Sequence, residues 1–195
     1  MRKLNQKQLL TRLQKIEVLV LDHDGVLTTP FVYMGVIMSK KVAAEYEPSR
    51  RVFKDALELA RYSHRDGQGQ DQVAKIGIKQ VILTTQRSGH PFVRGQKMKL
   101  PVVQTQDKLA GLKSWLVKNY PSVGLDRICA VGDDTGDLPL FEAVGLAVCV
   151  GDGHPSAKQA AHFVTTAFGG DGAVRELCDL ILVARAKAGQ RHRSE

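Results

Sequence analysis

Short apolar runs alternate along most of the chain with segments whose apolar residues recur at helical spacing. The runs are nearly continuous and rich in valine and isoleucine, which is typical of strands buried on both faces. The predicted strands are 17–22, 79–85, 101–104, 127–133, 146–150 and 162–166. The predicted helices are 108–120, 137–144, 156–161 and 172–188. This alternation predicts an α/β protein with a Rossmann-like parallel sheet and helices on both faces.

Residues 31–66 interrupt the alternation. The run FVYMGVIM at the start of this segment predicts a strand with a hairpin turn, and the charged stretch that follows predicts a helix from about Ser49. The next helix is expected to begin near Asp66. Because the segment is too short to fold alone, we interpret it as a small β-hairpin insertion after the first strand.

The size and composition of the chain indicate one domain, 1–195, with a buried core, since 43% of the residues are hydrophobic. The charged end, about 189–195, is expected to form a flexible tail. No apolar stretch has the length of a membrane span, and the basic N-terminal segment is amphipathic rather than a secretory signal, so no membrane association is expected. Three isolated cysteines are interpreted as reduced packing residues of a cytoplasmic protein: Cys129, Cys149 and Cys178.

The net charge of +8 is concentrated towards the two ends of the chain. Such a surplus can serve a nucleic acid, an anionic small molecule or solubility alone. No aromatic–basic interleaving and no recognised binding motif accompany it, so no nucleic-acid partner is expected.

Carboxylates gather where predicted strands end. Asp22 and Asp24 follow the first strand, and GDDTGD at 132–137 supplies three more after another. In open α/β sheets, sites form outside the carboxyl ends of the strands, so these acids are expected to meet. Crowded carboxylates need a positive charge between them. Oxygen ligands favour a hard cation, and without clustered His or Cys the sequence predicts Mg²⁺ rather than zinc.

Two further side chains suit an anion. The Thr85 hydroxyl and the Lys108 ammonium can both bind a phosphoryl group. An aspartate beside Mg²⁺ can attack phosphorus, and a second carboxyl group two residues later can act as acid and then as base. Each residue also has a structural interpretation, as a turn or N-cap aspartate, a strand-end threonine or a surface lysine. Thr84 competes with Thr85 for the same role.

These residues occur in the order of the four motifs of the haloacid dehalogenase superfamily: DHDGVLT at 22–28, Thr85 with Arg87, Lys108, and GDDTGD. The chain resembles the capless phosphatase branch of that superfamily, whose substrate is the sugar-acid phosphate 3-deoxy-D-manno-octulosonate 8-phosphate of lipopolysaccharide precursor synthesis. The stretches that support this resemblance are VYMG (32–35), RDGQG (65–69), QTQDKL (104–109), VGDDTGDLPLFEAVGL (131–146) and GGDGAVRELCDLIL (169–182).

The resemblance implies a role for each acid. Asp22 would be the nucleophile and a Mg²⁺ ligand. Asp24 would be the acid and base and would contribute its backbone carbonyl to the metal. Asp133 would be the third protein ligand, and Asp137 would support the metal shell.

The resemblance also implies a phosphorylated sugar acid as substrate and a homotetramer in which hairpins pack centrally and a neighbouring subunit closes each site. Thr85 and Lys108 would hold the phosphoryl group, and Arg87 would meet the substrate. The residues that would line the sugar side are Ser63, His64, Arg65, Asp66 and Gly67. Arg175 belongs to a C-terminal segment that often reaches towards the neighbouring subunit in that family.

Several positions depart from the family pattern. Gln86 stands where motif two has a glycine, and His23 stands where an apolar residue is usual; we interpret His23 as a packing or surface residue. Residues 36–62 are longer than the family hairpin, and Gln70 and Asp71 replace an apolar–basic pair. A phosphatase of a nonulosonate 9-phosphate and a non-catalytic binding protein of the same fold remain alternatives.

Overall fold

The structure, a computed structural model, describes residues 3–36 and 56–191. The strands are β1 (Val18–Leu21), β2 (Thr28–Val36), β3 (Ala56–Tyr62), β4 (Lys79–Thr84), β5 (Val102–Gln104), β6 (Ile128–Gly132), β7 (Leu146–Cys149) and β8 (Phe163–Val164). The helices are α1 (Gln6–Lys15), α2 (His64–Lys75), α3 (His90–Met98), α4 (Lys108–Asn119), α5 (Leu138–Ala143), α6 (Pro155–Ala160) and α7 (Ala173–Arg191). Two 3₁₀ turns cover Leu125–Arg127 and Thr135–Asp137.

Six strands form one parallel sheet in the order β5-β4-β1-β6-β7-β8. β1 is central and its side chains enter both halves of the core: Leu19 and Leu21 pack on the side of α1, α2 and α7, and Val18 and Val20 on the side of α4, α5 and α6. Burial on both faces explains the nearly continuous apolar runs. The predicted α/β fold with helices on both faces is confirmed.

The predicted hairpin is confirmed, but the helix predicted from about Ser49 is wrong over 56–62. These residues form β3, which pairs antiparallel with β2 in a separate two-stranded sheet, with Tyr33 opposite Leu59. Alanine, leucine and glutamate favour a helix locally, and pairing with β2 overrides that preference. Residues 37–55, which include the predicted start of that helix, lie outside the described residues.

Two helices differ from the prediction. α3 was not predicted, because Phe92 and Val93 are exposed on it and obscure any apolar stripe. α7 continues to Arg191, so residues 189–191 of the predicted tail are helical. Residues 192–195 lie outside the described part of the chain. No helix within 3–36 or 56–191 is long and apolar enough to cross a membrane.

Candidate active site

The first and fourth motifs meet at the carboxyl ends of two adjacent strands. β1 and β6 pair in parallel, and Asp22 and Asp133 each come directly after the last residue of their strand. The backbone N–H of Asp22 donates to the carbonyl of Val131 at 3.0 Å, which extends the pairing into the site. Gly25 has φ +72°, and a Cβ there would collide with the Asp133 carboxylate. Glycine therefore permits both the turn and the approach of Asp133.

Three of the five acids that were expected to meet do so, and Asp24 and Asp134 are not in this group. One carboxylate oxygen from each of Asp22, Asp133 and Asp137 lies within 4.8 Å of the others. All three donors are carboxylate oxygens, which are the ligands that hard divalent cations prefer. The donor set therefore fits a cation such as Mg²⁺.

Lys108 brings a positive charge into this cluster. Its Nζ lies 2.8 Å from Oδ2 of Asp22 and 2.7 Å from Oδ1 of Asp137, and the residue is only 7% exposed. Lys108 is the first residue of α4, where the helix dipole disfavours a cation. The two carboxylates outweigh that effect. An ammonium group has three N–H donors, so one remains for a further acceptor.

The acids carry more negative charge than one lysine neutralises. Burial raises the pKa of Asp22; Lys108 lowers it, and repulsion from Asp137 and Asp133 raises it again, with a net increase. Burial and the charge of Asp137 raise the pKa of Asp133 to about 7, against the lowering effect of Lys108. A bound divalent cation would supply the missing positive charge and favour the ionised acids.

Asp137 positions the other members of the cluster. Its Oδ1 accepts from Lys108, and its Oδ2 accepts the backbone N–H groups of Asp133 at 2.9 Å and Asp134 at 3.3 Å. The residue is buried. Asp137 therefore holds both Lys108 and the Asp133 backbone, and its support of a metal shell stays a prediction.

Asp24 lies outside the group of clustered oxygens. Its Oδ1 lies 3.0 Å from Nδ1 of His23, and its side chain is 53% exposed. The carboxylate is therefore accessible to a ligand in solution. The metal contact predicted for Asp24 concerned its backbone carbonyl, and it stays a prediction.

Comparison with known proteins identifies the family. A family model described as haloacid dehalogenase-like hydrolase matches residues 77–177. A Salmonella typhi protein named 3-deoxy-D-manno-octulosonate 8-phosphate phosphatase KdsC is 32% identical over 182 residues, which are 91% of this chain and 85% of that protein. The chain belongs to the haloacid dehalogenase-like hydrolases.

Solved structures agree with this haloacid dehalogenase-like assignment. A phosphatase of the same name from Yersinia pestis has a TM-score of 0.78 at 31% identity, covering 92% of this chain and 88% of that one. The cobalt-bound form of the deoxy-D-mannose-octulosonate 8-phosphate phosphatase YrbI from Haemophilus influenzae has a TM-score of 0.72 at 25% identity, covering 90% and 92%. The chain is a phosphoric monoester hydrolase.

Motif two of this hydrolase lies at the end of β4. Thr84 is buried and its Oγ1 accepts the backbone N–H of Gln86 at 3.0 Å, whereas Thr85 is exposed. Gln86, in the place of the usual glycine, is held by three bonds. Besides the bond to Thr84, its carbonyl accepts from Nε2 of Gln104 at 2.8 Å, and its Oε1 accepts the backbone N–H of Arg87 at 2.9 Å. Sequence reasoning placed Gln104 at a strand end but missed this contact.

The residues predicted to line the sugar side differ in exposure. His64 and Arg65 are exposed, and the Ser63 hydroxyl accepts the N–H of Arg65 at the start of α2. Asp66 is fully buried, and its Oδ1 accepts the N–H of Arg175 at 2.8 Å. Burial raises the pKa of Asp66 against the lowering effect of backbone hydrogen bonds from Arg175 and Gly172. Asp66 thus supports the start of α7, and the substrate contact predicted for it stays a prediction.

Two other residues of this set lie beside α3. Gly67 packs against Met98, where an added Cβ would lie 3.3 Å from the methionine sulfur. His64 lines a cavity of about 430 Å³ between β3 and α3, together with Glu58, Leu59, Ala60, Tyr62, His90, Val93, Arg94 and Lys97.

The side chain of Arg175 binds Asp179 on its own helix at 2.8 Å. The contact predicted from Arg175 to a neighbouring subunit stays a prediction.

Proposed function

We propose that this chain is a Mg²⁺-dependent phosphatase of a sugar-acid phosphate, 3-deoxy-D-manno-octulosonate 8-phosphate, and that it acts through an aspartyl-phosphate on Asp22. The contact of Lys108 with Asp22 inside a cluster of three acids, of which Asp137 is buried and Asp22 and Asp133 are partly buried, carries the chemical part of the proposal. The substrate part is supported by the names of relatives that match nine-tenths of the chain. A shallow, open depression lined by Arg87, Gln104, Thr105 and Gln106 offers side chains that can bind polar groups of the sugar.

Asp22 attacks the phosphorus in the first step. One of its carboxylate oxygens forms a bond to phosphorus while the ester P–O bond breaks, and Asp24 donates a proton to the leaving sugar oxygen. Lys108 places its third N–H, and Thr85 its hydroxyl, on the phosphoryl oxygens.

Asp24 acts as a base in the second step. It takes a proton from water, whose oxygen forms a new bond to phosphorus as the bond to Asp22 breaks. The products are the free sugar acid and inorganic phosphate. Asp24 is exposed, so water and the leaving group can both reach it.

The carboxylates of Asp22 and Asp133 and the backbone carbonyl of Asp24 would hold the cation, with Asp137 in support. When bound, Mg²⁺ neutralises charge on the phosphoryl group. The existence of a cobalt-bound form of a relative supports metal binding by this chain. We choose Mg²⁺ because these donors are oxygens and the substrate carries a phosphate.

The assembly and the location of the protein are also proposals. We propose a homotetramer with the hairpins at its centre, as the family resemblance implies. In the described residues, the hairpin exposes Phe31, Val32, Tyr33, Met34 and Leu59. We propose a cytoplasmic enzyme because Cys129, Cys149 and Cys178 are free and buried.

A panel of phosphate esters tests the proposed activity. Release of inorganic phosphate is measured with Mg²⁺ and with EDTA, for 3-deoxy-D-manno-octulosonate 8-phosphate, a nonulosonate 9-phosphate, hexose phosphates and p-nitrophenyl phosphate. The expected result is the highest kcat/KM for the octulosonate ester, by about tenfold or more, and loss of turnover in EDTA. Asp22→Asn should abolish turnover while the circular dichroism spectrum shows that the fold is intact.

Other outcomes of the panel would contradict the proposal. A tenfold preference for the nonulosonate ester would overturn the proposed substrate. Full activity in EDTA would overturn the metal requirement, and an active Asp22→Asn variant would overturn the nucleophile.

A further inference from the structure

His23 is a fully buried polar residue between the two proposed catalytic acids. Its backbone N–H donates to Oδ1 of Asp22 at 2.7 Å, and its ring lies 3.0 Å from Oδ1 of Asp24. His23 therefore contacts both acids, one through its backbone and the other through its side chain. The apolar residue usual at this position could make only the first of these contacts.

Both ring nitrogens of His23 have partners. Nδ1 faces the Asp24 carboxylate, and Nε2 lies 2.9 Å from the Tyr62 hydroxyl. When Oδ1 of Asp24 accepts this hydrogen bond, either in the ionised acid or as the unprotonated oxygen of the neutral acid, Nδ1 carries the proton. In the neutral ring, Nε2 is then the acceptor, and the Tyr62 hydroxyl donates to it at 2.9 Å in preference to the carbonyl of His90, which lies 3.5 Å away. One tautomer thus satisfies both contacts.

Tyr62 is itself fixed. It is the last residue of β3, pairs with Thr28 of β2, and packs edge-on against the His23 ring with centroids 5.7 Å apart. The guanidinium of Arg94 also contacts the Tyr62 ring, 4.8 Å from its centre. The base of the hairpin therefore determines where the His23 ring lies.

The contact with the His23 ring holds the Asp24 carboxylate in one orientation. Its side chain is half exposed, and an aspartate on the surface is otherwise free to change rotamer. Proton transfer to a leaving group requires a carboxyl group within hydrogen-bond reach of that group. A rotamer held before the substrate binds removes an entropic cost from the reaction.

We propose that His23 is a positioning residue, which holds the Asp24 carboxylate for proton transfer while Tyr62 at the hairpin base holds the His23 ring. This inference rests on the proposed function, because it assigns His23 a role through the acid and base function of Asp24.

The test compares two esters that differ in their need for an acid. The leaving group of a sugar phosphate is an alkoxide, a strong base that must be protonated as it leaves. The leaving group of p-nitrophenyl phosphate is p-nitrophenolate, a weak base that leaves without a proton. His23→Leu is expected to lower kcat/KM about tenfold or more for the sugar phosphate and much less for p-nitrophenyl phosphate. General damage to the site would lower both values together.

Two matched variants sharpen the comparison. Asparagine can place an N–H near the position of Nδ1, and glutamine cannot, so His23→Asn should recover most of the lost activity and His23→Gln should not. Tyr62→Phe keeps the ring contacts and removes only the hydroxyl. It should show a smaller loss with the same selectivity, and it serves as the test if His23→Leu does not fold.

Asp24→Asn separates this inference from the proposed function. If Asp24→Asn itself shows no selective loss on the sugar phosphate, the acid role fails and the inference falls with it. A second outcome is that Asp24→Asn lowers kcat/KM selectively for the sugar phosphate, but the His23 and Tyr62 variants lower kcat/KM equally for both esters or for neither. In that case only the positioning role is overturned. In an Asp24→Asn background, His23→Leu should cause no further selective loss.

Discussion

Asp22, Asp133 and Asp137 lie close enough to repel one another, and Lys108 compensates part of that repulsion. The negative charge that remains, together with burial, raises the pKa of Asp22 and of Asp133. A buried charge without a partner is strongly unfavourable, so the residues that surround it must hold it in a fixed geometry. Asp137 does this by binding Lys108 with one oxygen and the Asp133 backbone with the other.

The buried histidine His162 should contribute to the pH dependence of stability. His162 is buried, and its Nδ1 accepts the N–H of Ala147 at 3.0 Å. Burial lowers the pKa of His162 from 6.5 to about 4, and the charges of Arg12 and Lys3 add to this effect. Between these values the unfolded chain binds a proton that the folded chain does not. The contribution of His162 to the free energy of unfolding should therefore fall as the pH decreases from about 6.5 to 4, by about 1–2 kcal/mol once solvent screening is allowed for; the raised pKa of Asp22 and of Asp133 acts in the opposite direction, so the His162 contribution is the difference between the unchanged protein and a His162 variant.

Urea unfolding at pH 7, 6 and 5 measures this contribution. His162→Asn keeps an acceptor for Ala147 and removes the titrating group, so its free energy of unfolding should rise relative to that of the unchanged protein as the pH decreases. His64→Asn, at an exposed position, is the matched control and should keep the pH dependence of the unchanged protein. An equal pH dependence in His162→Asn and the unchanged protein would contradict the role of His162.

At the level of elements, α2 and α7 determine how the segment 63–67 is placed. Gly69 of α2 lets the helices approach closely, because a Cβ there would lie 2.9 Å from Cδ of Arg175 and 3.0 Å from Cβ of Cys178. Asp66 accepts the N–H of Arg175, one of the backbone groups that the first turn of a helix leaves unpaired. One helix thus caps the other.

Asp66→Ala should therefore reduce stability rather than substrate binding. The free energy of unfolding is expected to fall by about 1–2 kcal/mol, because the backbone N–H of Arg175 loses its acceptor. Asp71→Ala on the same helix removes an exposed ion pair with Lys75 and should cost less than about 0.5 kcal/mol. Urea midpoints measure both. A raised KM for the sugar phosphate with unchanged stability would instead restore Asp66 as a substrate contact.

At the scale of the whole molecule, the hairpin carries the largest group of exposed large apolar side chains among the described residues. Phe31 is 70% exposed, and Tyr33 and Leu59, which lie opposite each other, are 57% and 53% exposed. A cluster of exposed apolar side chains on one element is typical of an interaction surface. This agrees with the proposed central packing of hairpins.

Light scattering after size exclusion tests the assembly. The unchanged protein should have the mass of four chains, and Tyr33→Glu should shift it to smaller species by placing charge at the interface. Val117→Glu on α4, where the valine is 74% exposed, is the matched control and should leave the mass unchanged. A monomeric unchanged protein would overturn the tetramer, and a tetrameric Tyr33→Glu would overturn the role of the hairpin.

Local patterns in the sequence determine much of this protein. The strands of the parallel sheet could be predicted because burial on both faces leaves continuous apolar runs. The acids could be assigned to one edge because parallel strands end together. The strand β3 could not be predicted, because its residues favour a helix and only pairing with β2 makes it a strand.

Tertiary structure alone decides which side chains touch. Lys108 reaches Asp22 and Asp137 across more than twenty residues of chain, and His23 reaches Tyr62 in the same way. Asp66 belongs to a motif whose resemblance implies a substrate contact, but folding turns it towards α7. Spacing along a chain records periodicity within one element. Contacts between elements depend on the angles at which they pack, and no local pattern records those angles.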